Sequence, residues 1–201
     1  MPHVVLITDR SLAADLPARI AAILAGVPAG SVAIQIREKD LDGAALLVLA
    51  REIVALGAPV WINDRVDIAM LAGAHGVHLP ERGLPIADVR AMTNLRIGAS
   101  RHSAAAAIAC DADVVVQLGP IFETPGKRAI GLEPLAEVRA ARTGTLVAVG
   151  GIDSEERASL AAAAGADAVA VIRAAWTSTD PVASVRALIA GVESGRASRS
   201  R

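Results

Sequence analysis

The chain has 201 residues, 53% of them hydrophobic, and a formal net charge of -1, which suits one well-buried domain. Acids and bases are interspersed, and the aromatics are one Phe and two Trp with no Tyr, which argues against nucleic-acid and membrane surfaces and against base-stacking platforms. The single cysteine, Cys110, has no partner for an internal disulfide, which fits a reducing cytoplasm. It lies in an Ala-rich run and reads as a small packing residue. The N-terminus opens on a strand, not a basic-then-apolar leader, and no apolar run is long enough to span a bilayer.

Short β-branched runs alternate with Ala/Leu-rich runs along the whole chain. The strands read as His3–Thr8, Val32–Arg37, Pro59–Asn63, Gly76–Leu79, Arg96–Ser100, Asp113–Leu118, Thr145–Gly150 and Asp167–Ile172. The helices read as Leu12–Ala25, Asp42–Leu56, Arg65–Ala72, Ile86–Met92, Ser103–Cys110, Glu133–Arg142, Ser154–Ala164 and Pro181–Val192. Asp153, with Glu156 three residues on, is expected to N-cap a helix. Asp180 followed by Pro181 is a cap and a first-turn proline. Gly144 and Gly165 stand where helices stop. The tail Ser194–Arg201, rich in Ser, Arg and Gly, is expected to fray.

Continuous apolar strands separated by helices imply a parallel sheet buried on both faces. Eight such units close most simply into a single (β/α)8 TIM barrel spanning residues 1–193. An open doubly wound sheet is the rival. It would usually carry a Gly-rich fingerprint after the first strand, where this chain has Thr8-Asp9-Arg10-Ser11. In a barrel the chemistry sits at the C-terminal strand ends.

At the second strand end, alternation sets Gln35, Arg37 and Lys39 on one side, suited to a heterocycle and a polyphosphate. The third ends in Asn63-Asp64. Asp64 is either an N-cap or a ligand for Mg²⁺, a hard cation that takes carboxylate and substrate phosphate together. The fourth carries His78, then Pro80-Glu81-Arg82-Gly83; a lone strand-end histidine is more often packed than catalytic. The fifth offers Ser100 as a donor, His102 as an acid/base without an identifiable partner, and Ser103 as a cap. After the sixth strand comes Leu118–Lys127, whose glycines, prolines, Thr124 and Lys127 suit an anionic ligand. It is not a Walker A loop, because Ile121 and Arg128 stand where glycine and Ser/Thr are needed. After the seventh, Gly150-Gly151 allow close backbone approach, and Arg173 after the eighth completes a phosphomonoester site.

Taken together, Gln35-Ile36-Arg37-Glu38-Lys39, Ile62–Asp67, Gly76–Leu79, Gly119–Lys127 and Val149–Ile152 resemble the thiamine-phosphate synthase and thiazole tautomerase superfamily of (β/α)8 barrels. The resemblance runs from Val5 to about Ala174. It implies that hydroxymethylpyrimidine diphosphate is joined to a thiazole phosphate with release of pyrophosphate. On that basis Gln35 contacts the pyrimidine, and Arg37, Lys39 and Asn63 the diphosphate. Asp64 binds Mg²⁺ and Ser100 supports the pyrimidine. Thr124 and Lys127 lie in a mobile loop that closes over the substrates, and Gly150 and Gly151 take the thiazole phosphate. Lys39, Lys127 and Ser100 are the catalytic candidates.

The chain departs from that pattern in several places. Gly83 stands where synthases usually place a second Mg²⁺-binding Asp, leaving Glu81, two residues away, as a substitute. Arg173 replaces the usual Ser, and the run from Lys127 to Gly131 is short. His78-Leu79-Pro80, Ser100-x-His102-Ser103 and Phe122-Glu123-Thr124 resemble the tautomerases, although Pro120 stands where some of those carry a histidine. Two alternatives therefore accompany the synthase reading: a metal-independent thiazole tautomerase, and a non-catalytic binder of thiamine precursors. The expected partners are phosphorylated small molecules, and the Ala-rich helices suit packing on a second copy as well as on their own sheet.

Overall fold

Residues 2–199 are described by a computed structural model. Eight strands alternate with helices: β1 (Val4–Ile7), β2 (Val32–Ile36), β3 (Val60–Asn63), β4 (Gly76–Leu79), β5 (Arg96–Arg101), β6 (Val115–Leu118), β7 (Leu146–Val149) and β8 (Ala168–Val171). All neighbours pair in parallel and β8 closes on β1, so the sheet is the expected barrel. The helices are α1 (Leu16–Gly26), α2 (Gly43–Val54), α3 (Val66–Leu71), α4 (Ile86–Met92), α5 (Ala104–Ile108), α6 (Glu133–Ala141), α7 (Glu155–Ala163), α8 (Arg173–Trp176) and α9 (Pro181–Arg199). None among the described residues is long and apolar enough to cross a membrane.

The period-two alternation of each strand builds two cores. Outward residues such as Leu6, Ile34, Ile62 and Val116 pack under the helices. Inward residues Val5, Ile7, Ala33, Val147 and Ala170 fill the barrel with Trp61 against them. Gly76 and Gly98 leave room for the indole, since a Cβ there would lie 2.5 Å and 3.4 Å from its ring. Above this apolar layer the inward positions turn polar: Gln35, Asn63, His78, Ser100 and Gln117.

Helix boundaries correct the sequence reading in three places. Ser154, not Asp153, caps α7, its side chain accepting from Arg157 N; Asp153 instead pairs with Arg157 one turn on. Helix α8 was not anticipated. Trp176 is buried there and donates from Nε1 to Ile7 O at 2.7 Å, which ties the last barrel turn to the first strand. The tail does not fray at Ser194, because α9 continues to Arg199. Gly191 and Gly195 let it press on α7, where a Cβ would meet Glu155 O at 2.3 Å and Ser159 O at 2.2 Å. Arg199 then donates to Ala166 O. Ser200 and Arg201 lie outside the described residues. Asp180 caps α9 and Ser103 caps α5 as expected.

The N-terminal end of the barrel is stapled by arginines. Buried Arg142 donates to the carbonyls of Thr145, Asp111 and Val114 at 3.3, 2.7 and 2.8 Å. Asp167 pairs with Arg139 and Arg199 and also accepts from Leu146 N.

Candidate active site

The C-terminal mouth divides into two regions. The first gathers on β2 to β5. Gln35 is buried inside the barrel, where its Oε1 accepts from Gln117 Nε2 at 2.6 Å and its Nε2 faces Asn63 Oδ1 at 3.4 Å. Thr8 Oγ1 accepts from Arg37 N at 3.0 Å, which fixes the backbone where Arg37 and Lys39 leave the strand. His78 is buried and its Nε2 hydrogen-bonds Ser100 Oγ at 2.8 Å. Burial pushes the His78 pKa down to about 3, with the charges of Arg101 and Arg37 adding to the shift. The imidazole is therefore neutral at physiological pH and serves as the hydrogen-bond anchor of Ser100, not as an acid.

Asp64 does not cap α3. It stands at φ 64°, in the left-handed region that Asp tolerates better than most residues, and α3 has no side-chain cap. Its exposed carboxylate faces Gly83, where an added Cβ would lie 3.2 Å from Oδ1. Glu81 turns instead toward β5, where its Oε1 accepts from His102 N at 3.3 Å. Among the described residues, no three His, Cys, Asp or Glu side chains form a metal-binding group.

The second region is a cavity of about 590 Å³ framed by β6, β7, β8 and the turn after β1. Thr124, Lys127, Gly150, Gly151, Arg173 and His102 all line it. The loop after β6 is held at both ends. Ile121 N and Phe122 N donate to Val149 O and Gly150 O, and Ile130 N and Gly131 N return to Pro120 O and Ile121 O. Between them Thr124 and Lys127 pair as a two-bond ladder. This pinning makes the loop a docked wall of the cavity. Gly150 and Gly151 have φ of 98° and 68°. A Cβ on them would lie 2.5 Å from Pro120 Cβ and 2.7 Å from Glu123 O. The glycines thus admit the loop as well as any ligand. His102 hydrogen-bonds Gly119 O through Nδ1 at 2.5 Å, leaving its Nε2 edge available to the cavity.

The side chains of Lys39, Lys127, Arg173 and Asp64 make no hydrogen bond or ion pair with other described residues. Nearby, Arg10 pairs with Asp40 and Arg65 with Asp67.

Two side chains escaped the sequence reading. Gln117 was read only as part of an apolar strand; the signal available was its inward parity on β6. Arg157 donates to Gly151 O at 2.7 Å and lies 5.1 Å from the centroid of the Phe122 ring, so it clamps the loop to the β7 turn. Its spacing of four residues from Asp153 was the visible cue.

The model of the thiamine monophosphate synthase family matches residues 4–175. The chain belongs to that family. A thiamine-phosphate synthase of Methanoculleus marisnigri is 43% identical over 79% of this chain and 81% of its own length. One from Anaeromyxobacter dehalogenans is 40% identical over 90% of this chain and 86% of its own. The solved thiamine phosphate pyrophosphorylase of Pyrococcus furiosus superposes with a TM-score of 0.84 at 30% identity, covering 95% of both chains. The first two relatives carry the synthase name and the third the pyrophosphorylase name, and the comparisons lend the tautomerase alternative no support.

Proposed function

We propose that the protein is a thiamine-phosphate synthase, joining hydroxymethylpyrimidine diphosphate to thiazole phosphate with release of pyrophosphate. The observation that carries this reading is the pairing of two adjoining anion-ready regions at one barrel mouth. One offers Lys39, with Asp64 beside it as a cation ligand, and the other Lys127 and Arg173, all without partners among the described residues.

Gln35 and Ser100 hold the pyrimidine, with His78 fixing the Ser100 hydroxyl. Arg37, Lys39 and Asn63 hold the diphosphate. The thiazole phosphate lies against Gly150, Gly151 and Arg173, with Thr124 and Lys127 at the inner wall of the loop. As the carbon–oxygen bond to the diphosphate breaks, the thiazole nitrogen supplies its lone pair to that carbon. The product is a thiazolium and free pyrophosphate, so no proton transfer is required. Cations around the leaving group stabilise the charge it gains, which is the main demand on the site.

Asp64 fits a Mg²⁺ ion of the kind that keeps several waters and shares substrate phosphate oxygens. A single exposed, unpartnered carboxylate beside a glycine supplies such a site. Bound there, the ion would neutralise the pyrophosphate as it departs. Glu81, tied to His102 N, is not needed for it.

The test mixes both phosphorylated precursors with the protein and Mg²⁺. Thiamine phosphate and pyrophosphate are expected in equal amounts, with none after chelation. Aromatisation of a thiazole tautomer in a chelator, or binding of the precursors without product, would replace the synthase reading with the isomerase or the binder.

A further inference from the structure

The hydrogen bond between Gln117 and Gln35 joins strands that are not neighbours. In the closed order β1 to β8, β2 and β6 lie four places apart and so face each other across the barrel. The two amides meet at 2.6 Å in the middle, both buried, at 6% and 2% exposure. They form a strut directly above the apolar plug of Trp61 and Val147 and directly below the mouth. Gln117 also lies two residues before Gly119, where the docked loop with Thr124 and Lys127 begins.

The polarity of the strut decides what Gln35 shows to a ligand. A primary amide has a carbonyl that accepts and an NH₂ that donates twice. The Gln35 carbonyl is taken by the short bond from Gln117. Its NH₂ makes one long contact, 3.4 Å to Asn63 Oδ1, which leaves an N–H for the mouth. That contact occupies the Asn63 carbonyl and leaves the Asn63 NH₂ free for an anion. One relay thus turns two N–H donors toward the substrate.

We infer that Gln117 is a positioning residue that locks Gln35 with its N–H outward, so that the site selects a heterocycle presenting a ring-nitrogen acceptor. The inference rests on the synthase reading above and adds the residue that sets its heterocycle selectivity. Without Gln117 the Gln35 amide is free to rotate end for end, and the donor is no longer fixed.

The experiment compares wild type with Gln117→Met, which keeps the length of the side chain and removes its hydrogen bonds. The KM for the pyrimidine diphosphate is expected to rise about tenfold, in line with the loss of a buried amide bond. The KM for thiazole phosphate is expected to stay within about twofold. Pyridine analogues of the diphosphate, each lacking one ring nitrogen, sharpen the test. Wild type should lose about tenfold in kcat/KM on one of them, and the variant little on either. Equal changes in both KM values, or discrimination against the analogues that survives the substitution, would overturn the inference. The strut itself is read without turnover, from the ¹⁵N-labelled side-chain amide resonances of Gln35. They should shift in Gln117→Met, while the Gln117 NH₂, which donates the bond, should be slow to exchange in the ligand-free wild type; unshifted Gln35 resonances would sink the proposal even if the wild type makes no thiamine phosphate. A wild type that makes none while the resonances shift as expected would count against the synthase reading and leave the strut standing.

Discussion

The two ends of the barrel treat charge in opposite ways. At the N-terminal end Arg142 spends its guanidinium on three backbone carbonyls, and Asp167 serves two arginines and a backbone amide. At the C-terminal end Lys39, Asp64, Lys127 and Arg173 are left without partners among the described residues. Buried polar groups left unpaired are costly, whereas exposed ones are solvated until a ligand arrives. If the mouth charges serve substrate, as proposed above, substitutions at the two ends should separate stability from activity.

The largest effect is expected at Asp64. Asp64→Asn should lower kcat by about a thousandfold, as loss of a charge that organises the leaving pyrophosphate would, with stability within about 0.5 kcal/mol of wild type. Steady-state kinetics and denaturant unfolding on the same preparation check both halves. Arg142→Met should show the reverse pattern. It leaves three carbonyls without their donor, for a loss of about 3 kcal/mol, while kcat/KM holds below the unfolding temperature.

Gly150→Ala lies between these extremes. It forces a side chain into φ 98° and against Pro120, so it should cost about 2 kcal/mol and also raise KM for the thiazole phosphate by displacing the loop. An unchanged KM would mean that the loop's seating does not shape the cavity.

The remaining effect is a pH dependence, which leaves the chemistry of the mouth untouched. His78 has its folded pKa lowered to about 3 from 6.5, first by burial. The unfolded chain therefore takes up a proton between those values that the folded chain refuses. The stabilisation from neutral His78 is complete above pH 6.5 and is lost as pH falls toward 3, with a slope of at most about 1.4 kcal/mol per pH unit. Unfolding free energies measured from pH 7 to pH 4 should show that slope, and His78→Asn should flatten it.

The barrel was legible because parallel strands buried on both faces leave continuous apolar runs, and eight of them alternate with helices. The mouth was legible where motif and strand end coincide, as at Gln35, Asn63, Lys127 and Gly150. What escaped depended on partners distant in sequence. Gln117 matters because β6 faces β2 across the barrel, which no local pattern encodes. Helix α9 outruns its sequence signal because Gly191 and Gly195 fit against the backbone of α7, a tertiary gain that outweighs poor helix propensity. Asp64 was open to both a cap and a ligand reading because the two favour the same residue type; the missing side-chain bond at the start of α3 removes the first.

The contrast between the ends comes down to a thermal-shift measurement with Mg²⁺ and pyrophosphate. Wild type should gain stability from the pair by mass action. Asp64→Asn and Lys39→Ala should keep the ligand-free Tm of wild type and lose that gain, whereas Arg142→Met should start lower and keep it. A ligand-free Tm that falls as far in the mouth variants as in Arg142→Met, or a gain that survives in both of them, would contradict the assignment of the mouth charges to substrate.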